Sequence, residues 1–161
     1  MKGNAAILAE LNTLLAYEMT ASDQYFVHAH VYKDLGLPRL HARIKHEQEE
    51  ELEHARVLIE RILFLEGTPD LGQRPPTSTS RHVPEMLALD LDTERTVVTN
   101  LRRVIKLCEA EKDYVTRQAL LPLLNDTEED HLYWLEQQLR LIELTGLQNY
   151  LQAQMDPAVA A

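Results

Sequence analysis

Residues 51–54 read Glu-Leu-Glu-His and residues 128–131 read Glu-Glu-Asp-His, so a Glu-x-x-His pattern occurs twice in this chain. Of the seven histidines, only His54 and His131 follow a Glu by three positions. Both copies lie in long stretches with the apolar spacing of a helix, on which residues three apart share one face. Each copy therefore aims a carboxylate and an imidazole at one point, which predicts a metal site between two helices.

Two more acids complete the ligand set that a di-iron carboxylate site in a four-helix bundle requires. Glu18 interrupts the apolar stretch of the first helical segment, and Glu94 lies in the third. A carboxylate can bridge two irons because it has two oxygens, whereas a neutral imidazole cannot bridge. We therefore predict Glu51 and Glu128 as the bridges, and as terminal ligands Glu18, His54, Glu94 and His131. The charge of the four acids balances that of two divalent cations.

Apolar periodicity also divides the chain into helices separated by turn residues. Gly36 and Pro38 end the first helix, and residues 67–82, rich in Gly, Pro, Ser and Thr, form the only long irregular stretch. This stretch is long enough to cross the bundle before the third helix begins. The prediction is one all-α domain over residues 1–161, a four-helix bundle with a long crossover between helices 2 and 3 and a short C-terminal fifth helix. The predicted helices span about 5–34, 39–65, 84–111, 114–145 and 147–155.

Pro122 lies inside the fourth predicted helix. Proline has no backbone N–H to donate to the carbonyl of Gln118, so we expect a kink or a one-residue bulge there. Such a distortion could set the register of Glu128 and His131.

Composition narrows the class of protein further. The formal net charge of −10 at pH 7 argues against nucleic acid as a partner. The single cysteine, Cys108, excludes a disulfide framework within the chain and fits a reducing compartment. Polar residues such as Asn4 and Glu10 interrupt any apolar run near the N-terminus, so we expect neither a signal peptide nor a membrane span. The expected location is cytoplasmic.

The chain resembles the bacterioferritins over nearly its whole length. The resemblance rests on both Glu-x-x-His patterns and on the stretches 1–3, 23–26, 59–67, 133–136 and 146–154. It implies a ferritin-like four-helix bundle with a fifth short helix, assembled as a homo-oligomeric cage of twenty-four subunits that stores ferric mineral. It also implies ferroxidase activity, in which two Fe²⁺ ions bind within each subunit and O₂ or H₂O₂ oxidises them. The family's iron ligands correspond here to Glu18, Glu51, His54, Glu94, Glu128 and His131.

The same resemblance gives meaning to four further positions. Tyr25 corresponds to a tyrosine beside the di-iron site, and His46 to a histidine near an inner-surface iron site, where Glu50 replaces the usual Asp. Members that bind haem ligate it with a Met directly after the first motif's Glu, but Leu52 occupies that position here. Haem b is therefore not expected in the homomer, and only a Met-bearing partner subunit in a mixed cage could supply its ligands.

The spacing of the predicted ligands does not separate oxidation of iron itself from activation of dioxygen on a substrate. A di-iron oxygenase or a peroxide reductase of the same bundle type therefore remains an alternative. A reductase of the rubrerythrin kind would need an added Cys-rich iron domain, which Cys108 alone cannot supply. A mini-ferritin that buffers iron or protects DNA places its iron between subunits, and the paired motif within one chain argues against that class.

Overall fold

The computed structural model describes residues 2–156, and its secondary structure over that range is helical. The helices are α1 (Ala5–Asp34), α2 (Pro38–Phe64), α3 (Val83–Ala110), α4 (Tyr114–Asp126), α5 (Tyr133–Thr145) and α6 (Leu147–Gln154). A π-helical turn over Thr127–Leu132, here called the π segment, joins α4 to α5 so that they form one long fourth helix. The predicted all-α bundle with a short C-terminal helix is confirmed, with helix ends at or next to the predicted residues.

The crossover between α2 and α3 runs the whole length of α1. At its start, the amide of Gly3 donates to the carbonyl of Leu65 at 2.9 Å. Further on, Thr77 donates to the side chain of Gln24 at 2.6 Å, and near its end Arg81 pairs with Asp34 at 2.6 Å. These contacts carry the chain from one end of the bundle to the other, so α3 runs antiparallel to α1.

The apolar core is divided into two clusters by a polar layer. One cluster includes Leu11, Leu15 and Leu58, and the other includes Ala21, Tyr25 and Leu87, most of them with no exposed surface. On α1 the two clusters are separated by Glu18, which is completely buried. A charged layer in the middle of a bundle is costly unless its groups are paired or bind a metal. Five of the six predicted ligands converge in this layer: Glu18, Glu51, His54, Glu94 and His131.

The fourth long helix is irregular, but at a different place from the one expected. The α-helix continues through Pro122 to Asp126, and the distortion is the π segment that begins at Thr127. The expectation of a bulge centred on Pro122 is therefore wrong in position. Short π turns inside α-helices insert extra chain, commonly at functional sites, and this one contains the whole second Glu-x-x-His motif.

The C-terminal helix packs back on the bundle after a sharp turn. Gly146 has a φ of +80°, which L side chains rarely adopt, and it separates α5 from α6. The hydroxyl of Tyr150 donates to Gln138 at 3.0 Å and holds α6 against α5. Across residues 2–156, every helix is too short or too polar to serve as a membrane span.

Candidate metal centre

The first motif places both of its ligands in the polar layer as the sequence predicted. Glu51 and His54 are three apart on a regular stretch of α2, and the His54 Nδ1 atom lies 3.6 Å from Glu51 Oε2. The same nitrogen lies 3.7 Å from Glu18 Oε2 on α1. These three side chains are buried and offer ligand atoms close enough together to hold one metal ion.

A second group of the same kind shares Glu51. The Nδ1 atom of His131 lies 2.9 Å from Glu51 Oε1 and 3.7 Å from Glu94 Oε1, and all three residues are buried. The hydroxyl of Tyr25 donates a hydrogen bond to Glu94, which supports the expected place of this tyrosine beside the site. Glu51 thus lies between two potential cation positions, with one oxygen toward each imidazole.

The two groups form one continuous site. The imidazole rings of His54 and His131 stack with their centroids 5.8 Å apart and their planes 21° apart. Several buried carboxylate and imidazole atoms in this space form no hydrogen bond of good geometry within the described residues, although His131 Nδ1 and Glu51 Oε1 lie only 2.9 Å apart. They are both carboxylate oxygens of Glu18 and of Glu51, Glu94 Oε2, and Nδ1 of His54 and of His131. Buried polar atoms without partners are rare and costly. Carboxylate and imidazole donors turned toward a common space are the ligands that divalent iron accepts.

Burial and mutual repulsion prevent all three carboxyls, Glu18, Glu51 and Glu94, from being negatively charged at once. The pKa of Glu18 is raised well above its ordinary value by burial and by the neighbouring negative charge of Glu51. Burial also opposes charge on Glu51, but its interactions with Glu18 and the two imidazoles hold the pKa of Glu51 below its ordinary range. Burial and the charge of Glu51 raise the pKa of Glu94 to about 7. Glu18 and Glu94 therefore tend to retain protons that a cation would displace, whereas Glu51 is ionised.

The imidazoles respond in the opposite direction. Burial disfavours a charged His54, but Glu18 and Glu51 outweigh it and raise the pKa of His54 to about 11. Burial likewise opposes charge on His131, and the surrounding carboxylates, Glu47 first among them, raise its pKa well above the ordinary value. Without a metal, protons on the imidazoles supply the positive charge of the site, and a metal ion that binds Nδ1 must replace them.

The structure does not bring Glu128 to the same point. Its carboxylate pairs with Arg102 on α3 at 2.7 Å, and about a third of its side chain is exposed. The π segment gives the physical reason. A π-helix has more residues per turn than an α-helix, so residues three apart no longer lie on the same face. His131 faces the site and Glu128 faces the bundle surface.

Three residues around His131 and His54 were not found from the sequence. Glu47 is buried, with Oε2 2.9 Å from His131 Nε2, and Arg43 holds its other oxygen at 2.6 Å. Asp126 Oδ2 lies 3.6 Å from His54 Nε2. Glu47 is one helical turn before Glu51, so its position on the same face of α2 was the available signal. No local sequence signal marks Arg43 or Asp126.

The remaining predicted positions lie at the edge of the site. Glu50 is partly exposed, and its Oε2 lies 3.0 Å from His131 Nε2. Its other oxygen lies 3.4 Å from Nε2 of His46, whose side chain is more than half exposed. Leu52 is 42% exposed on the outer face of α2, directed away from the polar layer that contains its neighbour Glu51.

A bundle of four long helices that encloses carboxylates and imidazoles in its middle defines the class of metal-binding helical bundles. The model of the ferritin-like domain family matches residues 8–145, so the chain belongs to the ferritin-like family. The membership agrees with the bundle topology and with the buried groups of Glu and His, which are compatible with a metal site.

Similar proteins cover nearly the whole chain. It is 57% identical over 155 residues to a protein named bacterial ferritin from Synechocystis sp., and the match covers 96% of this chain and 99% of that protein. A protein of the same name from Pseudomonas aeruginosa is 52% identical over 159 residues, covering 96% and 100%. A protein named bacterioferritin from Brucella melitensis is 36% identical over 158 residues, covering 98% of each.

Proposed function

We propose that this chain is a cytoplasmic iron-storage subunit that oxidises Fe²⁺ to Fe³⁺ at a di-iron site within the subunit. The observation that carries the proposal is the cluster of carboxylate oxygens and imidazole Nδ1 atoms enclosed in the middle of the bundle, which converge there without hydrogen bonds of good geometry. Structural cores avoid such groups because buried like charges repel each other. Two divalent cations would relieve that repulsion and supply partners for the unpaired atoms.

The ligands divide into two halves around Glu51. Glu18 and His54 would hold one Fe²⁺ ion, Glu94 and His131 would hold the other, and Glu51 would bridge the two ions through its two oxygens. Tyr25 fixes the orientation of the Glu94 carboxylate through its hydrogen bond. Each ion gives one electron to the oxidant, so two ions reduce O₂ to H₂O₂, or H₂O₂ to water, with uptake of two protons.

Glu128 is proposed as the second bridging ligand, and it would have to leave Arg102 to take that place. The ion pair between them is largely open to solvent on the Arg102 side. Exposed pairs of this kind contribute at most about 1 kcal/mol. A buried metal ion competes easily with so weak a partner, so binding of iron would turn Glu128 inward.

The proposed product is ferric mineral inside a cage of twenty-four copies of the subunit, as the resemblance to bacterioferritins implies. His46 and Glu50 lie at the exposed end of the polar layer, where they would offer an iron ion a site on the inner surface. Leu52 has no lone pair for haem iron, so the homomer is proposed to lack haem b. A Met-bearing partner subunit would bring haem to a mixed cage.

The alternative is a di-iron oxygenase or a peroxide reductase with the same bundle. The size of the assembly separates the two, because a storage protein must enclose a cavity and an oxygenase need not. Size-exclusion chromatography with light scattering should give a mass near that of twenty-four chains of 18.5 kDa. A dimer would favour the alternative.

Oxidation kinetics test the chemistry. With two Fe²⁺ added per subunit in air, stopped-flow absorbance should show rapid formation of Fe³⁺. The double variant Glu128→Ala/His131→Ala should lose that rapid phase while keeping its helical content and assembly. Glu129→Ala is the matched control, because it removes an exposed acid from the same π segment. An unchanged initial rate in the double variant would contradict the proposed site.

A further inference from the structure

The two imidazoles of the metal centre have the same arrangement of nitrogens. In both His54 and His131, Nδ1 faces the inner carboxylates and Nε2 faces a carboxylate outside the site. Imidazoles that bind metal ordinarily donate their second ring N–H to an outer acceptor, which fixes the tautomer and the ring orientation. The outer carboxylates here are therefore candidates for that supporting role.

The outer partners of the two rings differ in number and burial. His131 Nε2 lies 2.9 Å from Glu47 Oε2 and 3.0 Å from Glu50 Oε2, and Glu47 is buried. Among residues 2–156, the carboxylate nearest to His54 Nε2 on its outer side is that of Asp126, with Oδ2 at 3.6 Å, just beyond hydrogen-bond distance, on a side chain that is 55% exposed. In the described part of the chain, two acids therefore approach the His131 ring from outside and one approaches the His54 ring.

By analogy with the first motif, the outer partner in the second motif would be the residue directly before Glu128, but Asp126 lies one position earlier. Glu50, which serves His131, is the residue directly before the Glu of the first motif. The equivalent residue of the second motif is Thr127, which is buried and donates its hydroxyl to the carbonyl of Leu123 at 2.8 Å. Thr127 is thus occupied within its own helix, and the preceding residue, Asp126, is the last of α4 before the π segment and reaches His54 instead.

We infer that Asp126 is the positioning residue for His54: its carboxylate, 3.6 Å from Nε2 here, accepts a hydrogen bond from the Nε2–H group when a metal ion is bound, so that Nδ1 is free to bind the metal. This inference rests on the proposed function, since it assigns Asp126 to one half of the proposed di-iron site. Asp126 does not touch the metal. It acts through the imidazole, and only the half of the site that contains His54 depends on it.

Binding of Co²⁺, which is not oxidised on the timescale of a titration, tests the inference without measuring catalysis. The full-length unsubstituted protein should bind two Co²⁺ per subunit, followed by visible absorbance. In Asp126→Ala, one of the two ions should bind about 10- to 100-fold more weakly, the range typical for loss of an outer-shell partner. Asp126→Glu should restore binding, and Glu129→Ala, which removes the same charge from an exposed neighbour, should leave both affinities unchanged.

Paired variants show whether Asp126 acts through His54. In a His131→Ala background, where the His54 half remains, Asp126→Ala should weaken the remaining Co²⁺ site. In a His54→Ala background it should have no further effect, because residues that act as a unit are non-additive. Equal weakening in both backgrounds, or equal effects of Asp126→Ala and Glu129→Ala, would overturn the role of Asp126 without contradicting the di-iron site. Failure of the unsubstituted protein to bind two Co²⁺ ions would overturn the di-iron site as well.

Discussion

Glu94→Gln should stabilise the metal-free protein at alkaline pH while it damages metal binding. The ordinary pKa of this carboxyl is 4.5, and burial together with the charge of Glu51 raises it to about 7 in the folded protein. Below pH 4.5 the group is protonated in both the folded and the unfolded chain, so it imposes no penalty. Between pH 4.5 and 7 the folded state holds the proton more tightly, and stability falls as pH rises.

The size of the effect follows from that interval. It covers about 2.5 pH units, each worth about 1.4 kcal/mol, so the full penalty above pH 7 is about 3 kcal/mol. Glutamine has nearly the same shape, carries no charge, and still offers Tyr25 an oxygen to donate to. The variant should therefore gain up to about 3 kcal/mol in free energy of unfolding at pH 8 and under about 1 kcal/mol at pH 5.

Urea unfolding of the metal-free protein at both pH values, at one protein concentration, measures the difference. Asp92→Asn is the matched control, since it makes the same change on an exposed side chain of α3. An equal gain at pH 5 and pH 8 would show that packing, and not ionisation, is responsible. No gain at pH 8 would refute the reasoning about the buried charges. Loss of one Co²⁺ per subunit should accompany the gain in stability.

Three other outcomes are expected. Because the pKa of His54 is raised to about 11 and that of His131 is also raised, Co²⁺ binding should release protons and tighten as pH rises from ~6 to ~8. Calorimetry in buffers of different ionisation enthalpy should detect the proton release, and an affinity independent of pH would contradict this prediction. Leu52→Met should introduce the spectrum of haem with two methionine ligands, at a cost below about 1.5 kcal/mol in stability; stoichiometric low-spin haem in the unsubstituted protein would show that Leu52 does not prevent ligation. Ile62→Ala, in the fully buried core, should lower the free energy of unfolding by about 2–5 kcal/mol in urea denaturation; a loss below 1 kcal/mol would mean that the core closes over the cavity.

The sequence was a good guide wherever the helix is regular. The spacing of apolar residues predicted the bounds of α1 at Ala5–Asp34 and placed the other helices within a residue or so of the observed ends. The Glu-x-x-His spacing predicted that Glu51 and His54 share a face, because α2 keeps its α-helical geometry across the motif. Glu18, an acid within an apolar stretch, and Glu94, which follows Asp90 and Asp92, lie in the same buried layer as that motif, and their role as metal ligands stays a prediction.

The second motif shows why spacing along the chain is not enough to place a side chain. Glu128 and His131 have the same spacing as the first pair, but the π segment changes the number of residues per turn, so the same spacing no longer means the same face. Pro122 indicated that the fourth long helix is irregular, but it did not indicate where.

The helices, their order, the long crossover and the residue types of the candidate metal site could all be predicted from the sequence, because they depend on periodicity and on residue type. Which acids face which imidazole nitrogen became known from the tertiary structure. Glu47 and Asp126 lie on different helices from the imidazoles they approach, and their distances to His131 and His54 follow from how those helices pack. Contacts between side chains far apart in the chain depend on the relative rotation of neighbouring helices, and spacing along one helix carries no information about that rotation.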